Sequence, residues 1–155
     1  MFATYHFFKS PIAAFVFIWG ILISSGPALA QTALQPSGSG TEGDPYLINS
    51  LENLYWITEN PSAWVSGVYY KQTSNIDASS TNGWFSGAGW PGIGNSSTPF
   101  KGRYDGQNYV ISGLFINGGN TKGLFGKTDG TNYNNRVIIT NVVLNSVNIS
   151  GGNEI

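Results

Sequence analysis

The sequence contains no cysteine, and its single histidine, His6, lies close to the N-terminus. Without cysteine the chain has no disulfide, no thiolate nucleophile, no thiolate zinc site and no lipid attached through an N-terminal cysteine. Charged residues are also few, at 10% of the chain, and the formal net charge is −1. This charge balance gives no electrostatic reason to expect a nucleic-acid partner.

Long apolar runs are absent except near the N-terminus, where residues 12–23 form an uncharged run of 12 residues. Residues 24–27 (SSGP) end this run, and Ala28-Leu29-Ala30 follows as a small-residue cleavage pattern. A membrane helix needs about 20 apolar residues, so the run is too short to be an anchor. We therefore predict a signal peptide over residues 1–30, cleaved between Ala30 and Gln31. No later segment is apolar enough to span a membrane, so we expect a protein that is secreted or held at the cell surface, and the leader is typical of a bacterial one.

Removal of the signal peptide would also remove His6, which leaves a chain with neither imidazole nor thiol. Ser-His-Asp and Cys-His triads, His-ligated zinc and histidine general bases are then excluded. Carboxylates, lysine, tyrosine and hydroxyl groups remain as candidate catalytic groups.

The carboxylates do not form a recognisable site in the sequence. Glycosidases need two carboxyl groups about 5–9.5 Å apart, and the eight acids of the mature chain are scattered along it. No D-x-[DN]-x-[DN]-G calcium loop is present, so solvated turn residues are the simpler interpretation of Asp77, Asp105 and Asp129. We expect no catalytic residues, no metal and no cofactor.

Glycine, asparagine, serine and threonine supply 59 of the 125 residues after position 30, which disfavours long helices. Regularly spaced apolar residues and four tryptophans argue against disorder. One helix is predicted near 51–59, because Ser50 is a suitable N-cap, Leu51, Leu54 and Tyr55 share one face, and Asn60-Pro61 ends the pattern.

Short apolar segments separated by polar turns predict β-strands from Val68 onwards. One apolar-x-x-apolar-x-apolar pattern occurs twice, 28 residues apart: Ile111, Leu114 and Ile116, then Ile139, Val142 and Leu144. A period of this size is typical of stacked repeats such as a parallel β-helix. A meander or sandwich with an accidental similarity is the alternative.

A long Gly- and Ser-rich segment, residues 78–99, contains Trp84, Phe85 and Trp90. Exposed aromatic side chains stack on sugar rings and anchor protein interfaces, so these three are candidate ligand contacts. Packing of the same side chains into the core is the competing interpretation.

Four segments resemble, in their order and spacing, the GLUG-type repeats of bacterial surface proteins. Such repeats occur in adhesin-like proteins and in non-catalytic regions of immunoglobulin-A-cleaving peptidases. The matching segments are the G-x-G-T-x-x-x-P-Y-x-I opening at 38–48, the short helix that follows, the F-x-G-x-[FY]-D-G-x-x-[HY]-x-I-x-x-L signature at 100–114, and G-L-F-G at 123–126 with a strand at 139–149.

The resemblance implies an all-β fold: a short right-handed parallel β-helix with one small N-terminal capping helix. It also implies structural roles for six motif residues, namely Asp105, Gly106, Gly123, Leu124, Phe125 and Gly126. The expected organisation is a signal peptide (1–30), a flexible lead-in (31–42) and a GLUG-like domain (43–155) that is truncated at its C-terminus.

The function that this resemblance implies is adhesin-like and non-enzymatic, with a surface protein or a glycan as partner. A carbohydrate-binding or polysaccharide-processing β-helix is the alternative. Stacked repeats generally need three or more units, and open strand edges near Val142–Ile149 would be exposed. We therefore expect the mature chain to be marginally stable or to self-associate through that edge.

Overall fold

The computed structural model describes residues 31–118, 123–130 and 136–150. The predicted signal peptide, including Ala30 of its cleavage site, lies outside these ranges. No helix in the described residues is both long enough and apolar enough to cross a membrane.

Short β-strands form most of the regular structure, and one α-helix lies near the N-terminal end. The elements are β1 (Tyr46–Ile48), α1 (Leu51–Glu59), β2 (Tyr69–Gln72), β3 (Ile76–Asp77), β4 (Arg103–Asp105), β5 (Val110–Ser112), β6 (Phe115–Asn117), β7 (Ile138–Thr140), β8 (Val143–Asn145) and β9 (Asn148–Ser150). Two 3₁₀ segments, Pro61–Ala63 and Ser79–Gly87, complete the list.

The strands pair in parallel and form three sheets. Sheet A has the order β1-β2-β4-β7, sheet B the order β3-β5-β8, and sheet C consists of β6 and β9. From β4 onwards the chain passes through sheets A, B and C in that order, and then does so again. Neighbouring strands within each sheet therefore come from successive passes of the chain.

The predicted helix at 51–59 is present as α1 and has the expected N-cap. The Ser50 side chain accepts a hydrogen bond from the Asn53 backbone N–H at 3.2 Å, which satisfies one of the free donors of the first turn. Leu54 and Ile57 are fully buried. Trp64 packs behind the helix, and its Nε1 donates to the Ile57 carbonyl at 2.6 Å.

Buried side chains lie in columns that cross the sheets from strand to strand. In sheet A, Tyr70 is paired with Tyr104, and in sheet B, Ile76 is paired with Ile111. Parallel pairing places the partners on the same face, and all four of these side chains are buried. Burial of a large aliphatic side chain contributes about 1.5–3 kcal/mol, so these columns are a main source of stability.

The 28-residue repeat predicted from the sequence is wrong in its register. Ile111 is paired with Leu144, and Ile116 with Ile149, in both cases 33 residues later. The error has a structural origin, because β7, β8 and β9 begin five residues apart and carry similar patterns. Shifting the alignment by one strand therefore still matches apolar residues with apolar residues, although it aligns strands that belong to different sheets.

The segment 139–149, expected as one strand, is instead three short strands with a corner between each pair. Asn141 and Ser146 occupy the corners with φ values of 54° and 53°. Asparagine tolerates this left-handed region better than most residues. A turn also follows Asp105-Gly106 as expected, but its left-handed residues are Gln107 and Asn108, with φ values of 51° and 61°.

The G-L-F-G segment at 123–126 supplies part of the core. Leu124 is buried, and the Phe125 ring lies 5.1 Å from that of Phe100 and 5.4 Å from that of Tyr104, measured between centroids. Gly126 donates its backbone N–H to the Ile93 carbonyl at 2.9 Å.

The lead-in at 31–42, expected to be flexible, is attached to the fold along part of its length. The Ser37 carbonyl accepts from the Leu47 backbone N–H at 2.8 Å, and the Gly40 carbonyl accepts from that of Tyr69 at 2.8 Å. Leu34 also donates its backbone N–H to the Glu52 carbonyl at 3.1 Å. This segment is therefore hydrogen bonded through its backbone to β1, β2 and α1.

Gly106 provides a test of the close approach between successive passes of the chain. A Cβ at this position would lie 2.4 Å from the Asn141 carbonyl oxygen and 2.9 Å from the Val142 Cα. We expect Gly106→Ala to lower the free energy of unfolding by about 1–3 kcal/mol, as overpacking does elsewhere. Urea denaturation of the two proteins measures this loss.

Gly83→Ala is the matched control, because a Cβ at Gly83 would meet no atom within 4 Å. We expect that variant to unfold within about 0.5 kcal/mol of the parent protein, as surface substitutions usually do. Equal stability of the two variants would contradict the close approach at Gly106.

Candidate functional site

The three candidate ligand-contact aromatics differ sharply in exposure. Trp84 and Trp90 are 6% and 2% exposed, whereas Phe85 is 47% exposed. The two tryptophans therefore lie in the core, the arrangement that the sequence left open as an alternative. Phe85 is the one member of the set whose ring reaches the surface.

Contacts around the tryptophans explain their burial. The ring of Trp84 lies 4.9 Å from that of Tyr55 on α1 and 6.1 Å from that of Trp90. Trp90 donates its Nε1 hydrogen to the Leu124 carbonyl at 3.1 Å. A buried indole needs such an acceptor. The two side chains thus join α1, the 78–99 segment and the G-L-F-G segment.

The backbone at Phe85 has an unusual conformation for a non-glycine residue. Phe85 has φ 48° and ψ 48°, and Ser86 has φ 56° and ψ 36°. Each left-handed residue of this kind costs about 1–2 kcal/mol. Strained residues often cluster at binding sites, so the strain gives a reason to consider Phe85 as a contact residue.

A surface depression of about 460 Å³ lies beside Phe85. Pro91, Ile116 and Asn117 are among the residues that line it, and none of the lining residues is charged. Asn117 supplies a polar amide at one wall, and its Nδ2 donates to the Gly87 carbonyl at 3.3 Å. An aromatic ring, an amide and uncharged walls suit a neutral ligand.

A second, smaller depression of about 190 Å³ lies over sheet A. The Arg103 guanidinium carbon lies 5.2 Å above the centroid of the Tyr69 ring, a cation–π geometry. Asp105 and Thr140 also line this depression. Its lining therefore carries charges of both signs, unlike that of the depression beside Phe85.

Asp105 accepts hydrogen bonds within its own turn and from the next pass of the chain. Its Oδ1 accepts from the Gln107 backbone N–H and from the Asn141 Nδ2, both at 2.9 Å. The Gln107 side-chain amide donates to Oδ2. Partial burial alone would raise the pKa of Asp105, but these hydrogen bonds and the charge of Lys71 outweigh it and lower the pKa.

The other acidic residues of the described ranges do not converge into a metal site. Within 31–118, 123–130 and 136–150, no three His, Cys, Asp or Glu side chains are close enough to hold a metal ion. Asp77 accepts from the Ser79 backbone N–H at 2.9 Å, and this bond lowers the pKa of Asp77. Asp129 lies 3.4 Å from the Lys101 ammonium.

Buried tyrosines have environments that keep them protonated. Burial raises the pKa of Tyr70 and of Tyr104 well above its usual value, and the charge of Asp105 adds to the effect at Tyr104. The Tyr70 hydroxyl donates to the Ala63 carbonyl at 2.6 Å, and that of Tyr104 to the Gln72 Oε1 at 3.2 Å. Neutral, hydrogen-bonded phenols are poor general bases.

Curated proteins that this chain resembles include halomucin from Haloquadratum walsbyi, which is 36% identical over 123 residues. A protein of Evansella cellulosilytica whose name describes a Gly-rich membrane protein is 32% identical over 120 residues. The matches cover 77% and 74% of this chain but only 1% and 13% of the respective relatives. The chain therefore spans a small part of the length of these relatives. No protein-family model matches it, and no solved structure matches it significantly.

Asp105→Asn tests the role of the Asp105 carboxylate between successive passes. At neutral pH we expect a loss of about 1 kcal/mol in the free energy of unfolding, because Asn removes the charge and one acceptor. Folding lowers the pKa of Asp105. The Asp105 carboxylate therefore stabilises the fold above the usual carboxyl pKa, and this stabilisation is lost as the pH falls through the lowered pKa. The difference between variant and parent should therefore shrink in acid, as measured by urea denaturation at a series of pH values.

Asp77→Asn is the matched control, because the Asp77 carboxylate accepts a hydrogen bond within its own turn. We expect a smaller loss for this variant. A loss equal to that of Asp105→Asn would contradict the role assigned to the contact with Asn141.

Proposed function

We propose that this chain is an exported, non-enzymatic, adhesin-like module that makes contacts at a cell surface or in an extracellular matrix. The predicted signal peptide supports export. The name of the Evansella cellulosilytica relative, which describes a membrane protein, supports a location at the cell envelope. A surface protein or a glycan is the proposed partner.

The fold that we propose for this module is a short right-handed parallel β-helix of the GLUG type, with α1 as its N-terminal cap. The observation that carries the proposal is the repeated passage of the chain through sheets A, B and C, with parallel pairing in every sheet. Such a stack offers broad outer faces to partners, while its interior is filled by the paired apolar columns.

The hydrogen bonds and protonation of the polar side chains favour a binding role over catalysis. The carboxylates of Asp77 and Asp105 accept hydrogen bonds in turns, and the buried phenols of Tyr70 and Tyr104 stay protonated. Each of these groups therefore has a structural role that accounts for its position.

Binding of the purified protein to whole cells tests the proposed function. We expect saturable binding to cells of the source organism, measured with fluorescently labelled protein by flow cytometry. Prior protease treatment of the cells should abolish binding if the partner is a protein, and periodate oxidation should abolish it if the partner is a glycan. Binding no greater than that of an unrelated labelled protein of similar size and charge would contradict the proposal.

Mass spectrometry of the exported chain should find Gln31 at its N-terminus.

A second candidate function, glycan binding, is favoured specifically by Phe85. Its exposed ring, its strained backbone and the uncharged depression beside it form a surface on which a neutral sugar ring could stack. Trp84 would support this surface from beneath, and Trp90, although only 2% exposed, lines the depression.

A glycan array with the parent protein and Phe85→Ala tests this candidate. Loss of an exposed stacking ring should weaken binding at least tenfold without a large change in the melting temperature, because Phe85 is half exposed. Tyr109→Ala is the matched control, since Tyr109 is also an exposed aromatic residue but does not line the depression. Equal glycan binding by all three proteins would rule out Phe85, and release of reducing sugar ends from a bound polysaccharide would instead indicate processing.

A further inference from the structure

The outer face of sheet A carries charged and aromatic side chains that take no part in the core. Tyr104 on β4 is buried, and successive side chains of a strand point to opposite faces, so Arg103 and Asp105 lie on the outer face. Parallel register places them beside Tyr69 and Lys71 of β2. We call these four residues (Tyr69, Lys71, Arg103 and Asp105) the outer cluster. A strand that continued the sheet would pair with its edge rather than cover this face.

The guanidinium group of Arg103 is held in place without an acidic partner. Its central carbon lies 5.2 Å from the centroid of the Tyr69 ring, and contact with an aromatic face restrains the planar group while its N–H donors stay at the rim. The Arg103 backbone N–H donates to the Val68 carbonyl at 2.8 Å, which fixes the other end of the residue. Among the described residues, no carboxylate oxygen lies within 4.0 Å of this guanidinium.

The other two charges of the outer cluster act mainly on each other. The Asp105 carboxylate accepts three hydrogen bonds from Gln107 and Asn141. Lys71 is the register partner of Asp105, and its positive charge stabilises this carboxylate. Two cations against one carboxylate leave one net positive charge, and Arg103 supplies it. The outer cluster therefore favours a ligand that carries a negative charge.

The size of the depression over sheet A limits what enters it. Its volume is about 190 Å³, and Arg103, Asp105 and Thr140 are among the residues that line it. Sites for drug-sized ligands measure about 300–1,000 Å³. This depression therefore suits a single small unit of a ligand, such as one sugar ring, with the rest of the ligand outside it.

The polar groups in the depression favour a carboxylate that is accompanied by hydroxyl groups. The arginine fork donates two parallel N–H bonds to a planar carboxylate. A carboxylate has about four acceptor sites, so Asp105 has room for a hydroxyl donor beyond its three hydrogen bonds. The Thr140 hydroxyl both donates and accepts. An acidic peptide fits less well, because it brings several carboxylates and no hydroxyl donors close to the negative charge of Asp105.

We propose that the outer cluster binds an acidic polysaccharide through one hexuronate unit. Arg103 pairs with the carboxylate of the unit, and Asp105 and Thr140 bind its hydroxyl groups. Lys71 adds a second positive charge beside the site. The proposal rests on the proposed function and deepens it, because it names the class of glycan that serves as partner. The site is separate from the depression beside Phe85, which suits a neutral ligand.

Isothermal titration calorimetry with oligosaccharides of galacturonate, glucuronate and mannuronate tests the proposal. The full chain is expressed with its own N-terminal segment in a bacterial host and purified as the host delivers it. We expect saturable binding of at least one of the three. Its carboxyl-reduced form keeps the rings and linkages but has no charge, and it should bind at least about tenfold more weakly, since hydrogen bonds to charged groups are lost.

Variants of Arg103 place the binding on the outer cluster. Arg103→Gln should weaken binding of the oligosaccharide at least about tenfold, because it removes the charged fork. Arg103→Lys keeps the charge but lacks the fork, so we expect an affinity between those of the parent and Arg103→Gln. Arg136→Gln is the matched control, because Arg136 is exposed and does not line the depression. It should bind like the parent, and melting curves check that each variant is folded.

Four results would overturn the proposal: no saturable binding of any of the three oligosaccharides, equal binding of the carboxyl-reduced form, equal affinities of Arg103→Gln and Arg136→Gln, or binding of oligoglutamate as tight as that of the oligosaccharide. If Arg103→Gln does not fold, an affinity of Arg103→Lys equal to that of the parent would overturn it as well. Whole-cell binding by a protein that binds no hexuronate would still support the proposed function. Hexuronate binding without whole-cell binding would contradict the proposed function alone.

Discussion

In-register parallel pairing of very short strands is the constraint on which the structure depends. Strands of two to four residues make few hydrogen bonds, so they persist only when their side chains are stacked on those of neighbouring strands. Tyr70 is typical: its partners along sheet A are Tyr46 on one side and Tyr104 on the other. The paired side chains of a column therefore pack on one another in the core.

The same constraint accounts for the polar group inside sheet A. Gln72 is fully buried, and burial of an amide is costly unless the amide is hydrogen bonded. Its Oε1 accepts from Tyr104, and its Nε2 donates to the Ser74 carbonyl at 2.9 Å. Throughout the part of the chain that the structure describes, no buried side-chain nitrogen or oxygen lacks a partner. Polar side chains are therefore tolerated in the core where neighbouring residues supply their hydrogen-bond partners.

Short strands also require frequent corners, and the corners explain the unusual composition. Asn108, Asn141 and Ser146 adopt left-handed conformations, and Gly106 lies where a side chain would meet the backbone of the next pass. Small polar residues suit both demands. Charged residues make up only 10% of the chain, so few charges are available at its surface.

The sequence by itself determined the β-rich class, the bounds of the helix at 51–59 and the apolar positions of the later strands, because each depends on local composition and spacing. It could not decide the repeat register, since a pattern that recurs every five residues fits equally well one strand out of place. Nor could it separate Phe85 from Trp84 and Trp90, which share one glycine-rich segment. Only the tertiary structure decided these points, because burial depends on which segment the folded chain places above each side chain, and the exposure of Leu144 depends on the lack of a further described strand beside it.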